Sequence, residues 1–269
     1  MRAGFIGGGI MAEAMIAGAI RGNVLLPEEI IASDVLADRR AQLEQTYGVT
    51  TTADNIEACL NADLIVFAVK PQTFPDVARG LAGHLKKGQT VLSIMAGVTM
   101  PALTESLKHD AIIRVMPNTP AQEGLGMSAW IASASVPEAT KEAAKTLLNT
   151  LGEEIEFKDE HYLDMATAVS GSGPAYVFTF AEALIDAGVA IGLPRDVATK
   201  MAVQTILGSI VLMQRRPQHP AELRAMVTSP GGTTAAALQE LERGAFRSTI
   251  AEAVRAAYER SIALGQKES

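Results

Sequence analysis

Phe5-Ile6-Gly7-Gly8-Gly9-Ile10-Met11-Ala12 stands at the head of the chain, where an apolar, strand-like run gives way to an alanine-rich helical one. The small residues fall at Gly7-x-Gly9-x-x-Ala12, the spacing of a turn that receives a dinucleotide. Gly7 permits the tight turn, Gly9 lets the backbone approach a pyrophosphate, and Ala12 lets the following helix lie close to the strand. The helix begins with free N–H groups that favour an anion. Gly7, Gly8, Gly9, Ile10, Met11 and Ala12 are therefore the expected pyrophosphate contacts; the alternative is a plain structural turn.

Outward from this turn, short β-branched runs alternate with helical stretches. Arg2 to Ile6, Ile30 to Ser33, Leu64 to Val69, Thr90 to Ile94 and Ile112 to Met116 are apolar on both faces, and helical patterns such as Ala12 to Arg21 and Ala37 to Tyr47 separate them. Parallel strands covered by helices on both sides have this rhythm. The fold class is α/β, with a Rossmann-type sheet that Ser128 to Ala132 and Glu153 to Phe157 are expected to extend after a helix from Pro137 to Leu151. Asp34, 25 residues beyond Gly9, is the acid at the end of the second strand and suits the ribose hydroxyls of NAD. Ser33 beside it, with Arg39 and Arg40, suits a 2′-phosphate instead, so the cofactor choice is divided at this point.

After Lys158 the pattern is helical only, which places a boundary there: residues 1–158 form the dinucleotide-binding domain and residues 159–269 an all-helical second domain. Pro174 and Pro194 are expected in first turns, and Gly188 and Gly192 as stops. Val197 to Met213 is apolar all round and requires cover on every side. A second subunit is expected to supply it, making the protein a homo-oligomer.

Composition narrows the partners. A formal charge of −7 and a pI near 5.2 leave no basic patch, so neither nucleic acid nor a membrane is expected as partner. The apolar stretch from Val177 to Leu193 is interrupted by Glu182 and Asp186. A single cysteine, Cys59, fits a reducing compartment, and no leader pattern is visible, so a cytoplasmic protein is expected. His84, His109, His161 and His219 are spread without metal-ligand spacing, and no metal is expected.

In the second half, Thr228-Ser229-Pro230-Gly231-Gly232-Thr233-Thr234 precedes the helical Ala235 to Glu242. Gly231 and Gly232, the hydroxyls of Ser229, Thr233 and Thr234, and a helix N-terminus make a cradle for a small carboxylate. An ordinary helix cap is the alternative. Taken in order, Gly7-x-Gly9-x-x-Ala12, Ala68-Val69-Lys70-Pro71, Met116-Pro117-Asn118-Thr119-Pro120, Ser170-Gly171-Ser172-Gly173-Pro174-Ala175-Tyr176 and Ser229-Pro230-Gly231-Gly232-Thr233-Thr234 resemble the pyrroline-5-carboxylate reductase family over nearly the whole chain.

That resemblance implies a dinucleotide-binding sheet followed by a helical dimerisation domain, in dimers that often assemble into rings. It also implies reduction of a cyclic imine by NADPH, with NADH open. It assigns Ser33, Asp34 and Asn55 to the adenosine ribose end, and Ala68, Val69, Lys70, Pro71, Ala96 and Gly97 to the nicotinamide side. Ser229, Gly231, Gly232, Thr233 and Thr234 would hold the substrate carboxylate, aided by Glu160, with Thr234 nearest the reacting nitrogen. Met226 departs from the polar residue found there in some members.

Two other readings stand beside this one. A 3-hydroxyacid dehydrogenase would need a lysine to handle the alcohol proton, and none occurs between Lys158 and Lys200. A non-catalytic, NADP-binding redox sensor would have no use for the carboxylate cradle.

Overall fold

The structure, a computed structural model, describes residues 1–266; the last three positions of the expected second domain lie outside the described residues. One eight-stranded sheet is built from β1 (Ala3–Ile6), β2 (Ile30–Ser33), β3 (Thr50–Thr52), β4 (Leu64–Phe67), β5 (Thr90–Ser93), β6 (Ile112–Met116), β7 (Gly126–Ala132) and β8 (Gly152–Glu156), in the order β3-β2-β1-β4-β5-β6-β7-β8. The crossovers are α1 (Ile10–Arg21), α2 (Ala37–Tyr47), α3 (Asn55–Cys59), α4 (Phe74–Leu81), α5 (Met100–Leu107) and α6 (Glu138–Asn149). Strands β1 to β6 are parallel, as their rhythm predicts. β7 runs antiparallel to β6, and β8 parallel to β7. The extension of the sheet reverses direction because residues 117–125 hold only a short 3₁₀ turn, and a parallel return needs a longer crossover.

Alternation along the strands sorts the core. Phe5, Leu64, Val66, Leu92, Ile113 and Val115 face one side, under Met15, Ile16 and Ala19 of α1 and Leu147 and Leu148 of α6. Ile6, Ile65, Phe67, Val91 and Ile112 face the other, under Phe74, Ala78, Leu81, Leu103 and Leu107. Each such aliphatic or aromatic side chain contributes about 1.5–3 kcal/mol on burial, which is why the strands read as unbroken apolar runs. β3 was not evident in the sequence: three threonines at a sheet edge carry no apolar alternation.

The first compact unit comprises residues 1–172 and the chain from Ala257, and the second residues 173–256. The division thus falls beyond the expected Lys158. The cause is that α7 (His161–Ala166) and the π turn after it, Thr167–Gly171, belong to the sheet unit: Glu160 pairs with Arg114 of β6 at 2.7 Å. The chain end returns there too, Ser261 Oγ donating to Asp164 Oδ1 at 2.6 Å.

The second unit is all helical, with α8 (Gly173–Ala190), α9 (Arg195–Arg215), α10 (Pro220–Met226), α11 (Thr233–Arg243) and the larger part of α12 (Phe246–Gln266). Pro174 lies in a first turn as expected; Pro194 sits one place earlier, at the N-cap of α9, and Gly188 lies inside α8, facing Ala198, while Gly192 follows the helix at φ +109°. Of α9 only Ala198 and Ala202 are buried. Val197, Met201, Val203, Leu207 and Ile210 are exposed.

Cys59 is buried at the end of α3, and desolvation first, with the Asp54 charge second, pushes its thiol up to about 12. A thiol that stays protonated under ordinary conditions is a poor nucleophile. The native protein is expected to take up no equivalent of a disulfide reagent at pH 8, and one equivalent in denaturant; stoichiometric labelling of the native protein would contradict this burial.

Candidate active site

The strand ends that matter are level: Ile6 is in register with Ser33 and Phe67, and Phe67 with Ser93. The chain therefore leaves β1, β2, β4 and β5 along one edge, and the crevice opens between β1 and β4, where crossovers leave to opposite sides.

Gly7 turns at this point with φ +95°, its N–H donating to the Ser33 carbonyl at 2.9 Å. A Cβ here would lie 3.0 Å from the Ala68 carbonyl and from Val69 Cγ1, so both backbone angle and space require glycine. Gly9 caps α1 without any side chain, and only the Ala68 carbonyl, 4.0 Å away, would lie near a Cβ there. Among the described residues, the N–H groups of Ile10 and Met11 have no protein acceptor. An open cradle of backbone donors at a helix N-terminus fits a pyrophosphate.

At the ribose end, both Asp34 carboxylate oxygens are anchored: Oδ2 accepts from Gly8 N–H and Oδ1 from Leu36 N–H, each at 2.9 Å. A carboxylate has further lone pairs to offer a diol. Ser33 departs from its expected role, because it is fully buried and its hydroxyl faces Asn55 Oδ1 at 2.7 Å and the Phe5 carbonyl at 3.2 Å. The pairing leaves Nδ2 as the group that Asn55 offers. The two arginines differ as well. Arg39 is spent on Glu13 at 2.6 Å, on Gln42 at 2.8 Å and on the Gly8 carbonyl. Arg40 lies against the backbone after β2, its Nη1 donating to the Asp34 carbonyl at 2.7 Å and to the Val35 carbonyl at 3.2 Å. Val35 and Leu36, 87% and 64% exposed, form an apolar rim here that the sequence reading did not single out.

On the other side of the crevice, Ala68 N–H donates to the Ile6 carbonyl at 2.9 Å, and Lys70, exposed, begins the 3₁₀ turn Pro71–Thr73. Ala96 is exposed, whereas Gly97 is buried against Leu264 of α12.

Glu160 needs correction. Its Oε1 accepts from Met100 N–H at 2.6 Å, at the start of α5, and from Arg114 Nη1 at 2.7 Å. A carboxylate so engaged would repel a substrate carboxylate, and its task is to neutralise the buried Arg114. Arg114 was missed in the sequence reading, although a lone arginine in the apolar run Ile112–Met116 calls for a buried partner.

Within the second unit, the turn between α10 and α11 is closed by Gly232 N–H on the Ser229 carbonyl at 3.0 Å, and Gly231 has φ +69°. Gly232 caps α11, and there is no side-chain cap. Among the described residues the hydroxyls of Ser229, Thr233 and Thr234 bond no neighbour, and the N–H groups of Thr233, Thr234 and Ala235 have no protein acceptor. Thr233 and Thr234 thus do not serve as the cap. No three His, Cys, Asp or Glu side chains gather at metal distance among the described residues, and His161 pairs instead with Asp159 on an exposed turn.

Residues 160–264 match the family model for pyrroline-5-carboxylate reductase dimerisation, and residues 2–97 the model for NADP oxidoreductase, coenzyme F420-dependent. A pyrroline-5-carboxylate reductase of Synechocystis is 46% identical, the match covering 98% of each chain. The chain belongs to the pyrroline-5-carboxylate reductase family. Solved members of the family agree throughout: the Coxiella burnetii protein has a TM-score of 0.91 at 35% identity, covering 98% of both chains. The Plasmodium falciparum protein, solved with NADP bound, has a TM-score of 0.89 at 33% identity, again covering 98% of both. The dimerisation match begins at residue 160, close to the Lys158 boundary, so family resemblance and physical compactness divide this member differently.

Glu160→Ala is expected to lower the unfolding free energy by about 2–4 kcal/mol, since it strands a buried guanidinium and removes the acceptor of the Met100 N–H. Glu160→Gln, which retains an acceptor, should lose less. Urea titration of the three proteins measures both; equal stability of all three would contradict the ion-pair role.

Proposed function

We propose that this chain reduces 1-pyrroline-5-carboxylate to L-proline with NADPH, in the cytoplasm, as a homodimer or larger ring. The observation that carries the reading is the full-length match to the Synechocystis reductase, at 46% identity. The geometry supports it at both ends: an open backbone cradle at Gly7–Met11 and a second, uncapped helix start at Thr233.

The nicotinamide cofactor, when bound, supplies the hydride that adds to the C=N carbon. The chain's own residues bind and orient. Backbone N–H groups of Thr233, Thr234 and Ala235, with the hydroxyls of Ser229 and Thr233, receive the substrate carboxylate. Holding the carboxylate would fix the orientation of the substrate ring, and fixed orientation is the main contribution required. A cyclic imine nitrogen is basic enough to arrive protonated, so no strong general acid is needed; the Thr234 hydroxyl accepts a hydrogen bond from the iminium N–H. Asp34 and the Asn55 amide hold the adenosine ribose. Arg40, whose guanidinium donates to the backbone at the end of β2, is our candidate cation for a 2′-phosphate, and the NADP-bound Plasmodium relative supports the choice of NADPH.

The direct test is reduction of pyrroline-5-carboxylate with each cofactor. Thr234→Val is expected to cut kcat/KM by about 1–3 kcal/mol of transition-state binding, without lowering the melting temperature, because no cap is lost. Unchanged kinetics with a lowered melting temperature would overturn the substrate role of Thr234.

Self-association rests on the dimerisation match and on the exposed apolar residues of α9. α9 is, by length and composition alone, apolar enough to cross a membrane. We assign its cover to a second copy. Sedimentation at micromolar concentration without detergent is expected to give a dimer or larger species; a stable, active 28.3 kDa monomer would refute this.

A further inference from the structure

The motifs Met116-Pro117-Asn118-Thr119-Pro120 and Ser170-Gly171-Ser172-Gly173-Pro174 have no part in the binding scheme above, yet the structure joins them. In a continuous helix the carbonyl of Ser170 would receive the N–H of residue 174. That residue is Pro174, which has no N–H and whose ring crowds the carbonyl four places earlier. The chain widens into the π turn Thr167–Gly171, with Ser172 N–H on the Thr167 carbonyl at 2.7 Å. Such turns recur at functional sites. The Ser170 carbonyl is taken instead by Asn118 Nδ2 at 3.0 Å.

The other end of the same amide is also committed. Asn118 Oδ1 accepts from Met127 N–H in β7 at 2.8 Å. One residue beyond Ser170, a Cβ on Gly171 would lie 2.7 Å from Met116 Cε, so the end of β6 is packed against the π turn. The loop after β6 is thus pinned on both sides. β6 is parallel to β1, β4 and β5, and this loop therefore leaves the sheet along the edge that carries Gly7, Ala68 and Ala96.

We propose that Asn118 is a positioning residue: by satisfying the carbonyl that Pro174 leaves without a donor, it locks the Pro117–Pro120 loop beside the nicotinamide side of the crevice. This rests on the reductase reading. Asn118 acts through the loop it holds, so its loss disturbs orientation in the reacting complex more than cofactor affinity.

Asn118→Asp keeps the acceptor for Met127 and sets an oxygen against the Ser170 carbonyl. It is expected to lower kcat by roughly tenfold or more, in line with the sensitivity of rate to small misplacements, while the cofactor dissociation constant holds. Pro174→Ala restores an N–H for the Ser170 carbonyl, and in that background the same Asn118 change should cost less, a coupling that a double-mutant cycle reads. If Asn118→Asp does not fold, Asn118→Ser, which removes the bond without adding charge, is read the same way. Absence of turnover by the wild type overturns both the reductase reading and this one. Wild-type turnover with an unchanged kcat in the Asn118 variant, or equal penalties in both backgrounds, overturns the positioning role alone.

Discussion

The contact between the first turn and the fourth strand governs this protein. β1 and β4 lie side by side with level ends, so the chain leaving β1 turns so close to the Ala68 carbonyl that a Cβ on Gly7 would lie 3.0 Å from it. Only a glycine with positive φ makes that turn, and the helix it launches has no side chain over its first N–H groups. The same closeness that excludes a Cβ creates the opening for an anion. Asp34 then ties the far side of the loop to β2 through the Gly8 N–H, so the cradle is held from both neighbouring strands.

The sheet unit has a second dependence, on the segment from Glu160 to Gly171. Glu160 accepts the first N–H of α5 and neutralises Arg114, and the π turn receives Asn118. Both attachments reach loops on the binding edge. A buried guanidinium with its partner removed is costly, which gives this segment a structural hold on the elements it touches.

The chemistry asks little of acid and base groups. Two uncapped helix starts present backbone N–H groups that suit anions without any titrating side chain. The helical unit, by contrast, buries only Ala198 and Ala202 of α9 and leaves most of that helix's apolar residues exposed in a single chain, and residues 160–264 match a dimerisation family model.

The sequence by itself determined the parallel strands, because strands buried on both faces must be apolar at every position, and the tight glycine turn into α1, because its glycine spacing is local. The glycine turn ahead of the helix start at Thr233 was legible for the same reason, since turn and helix start are contiguous. Tertiary structure decided what depends on distant partners. β7 reversed because its connection is short; β3 formed at an edge without an apolar signature. Ser33 turned inward to Asn55, Arg39 was drawn to Glu13 rather than left for a phosphate, and Glu160 was claimed by Arg114. Each of these is a choice among polar partners far apart in the chain, and hydrogen-bonding groups carry no periodicity that would announce which partner they meet.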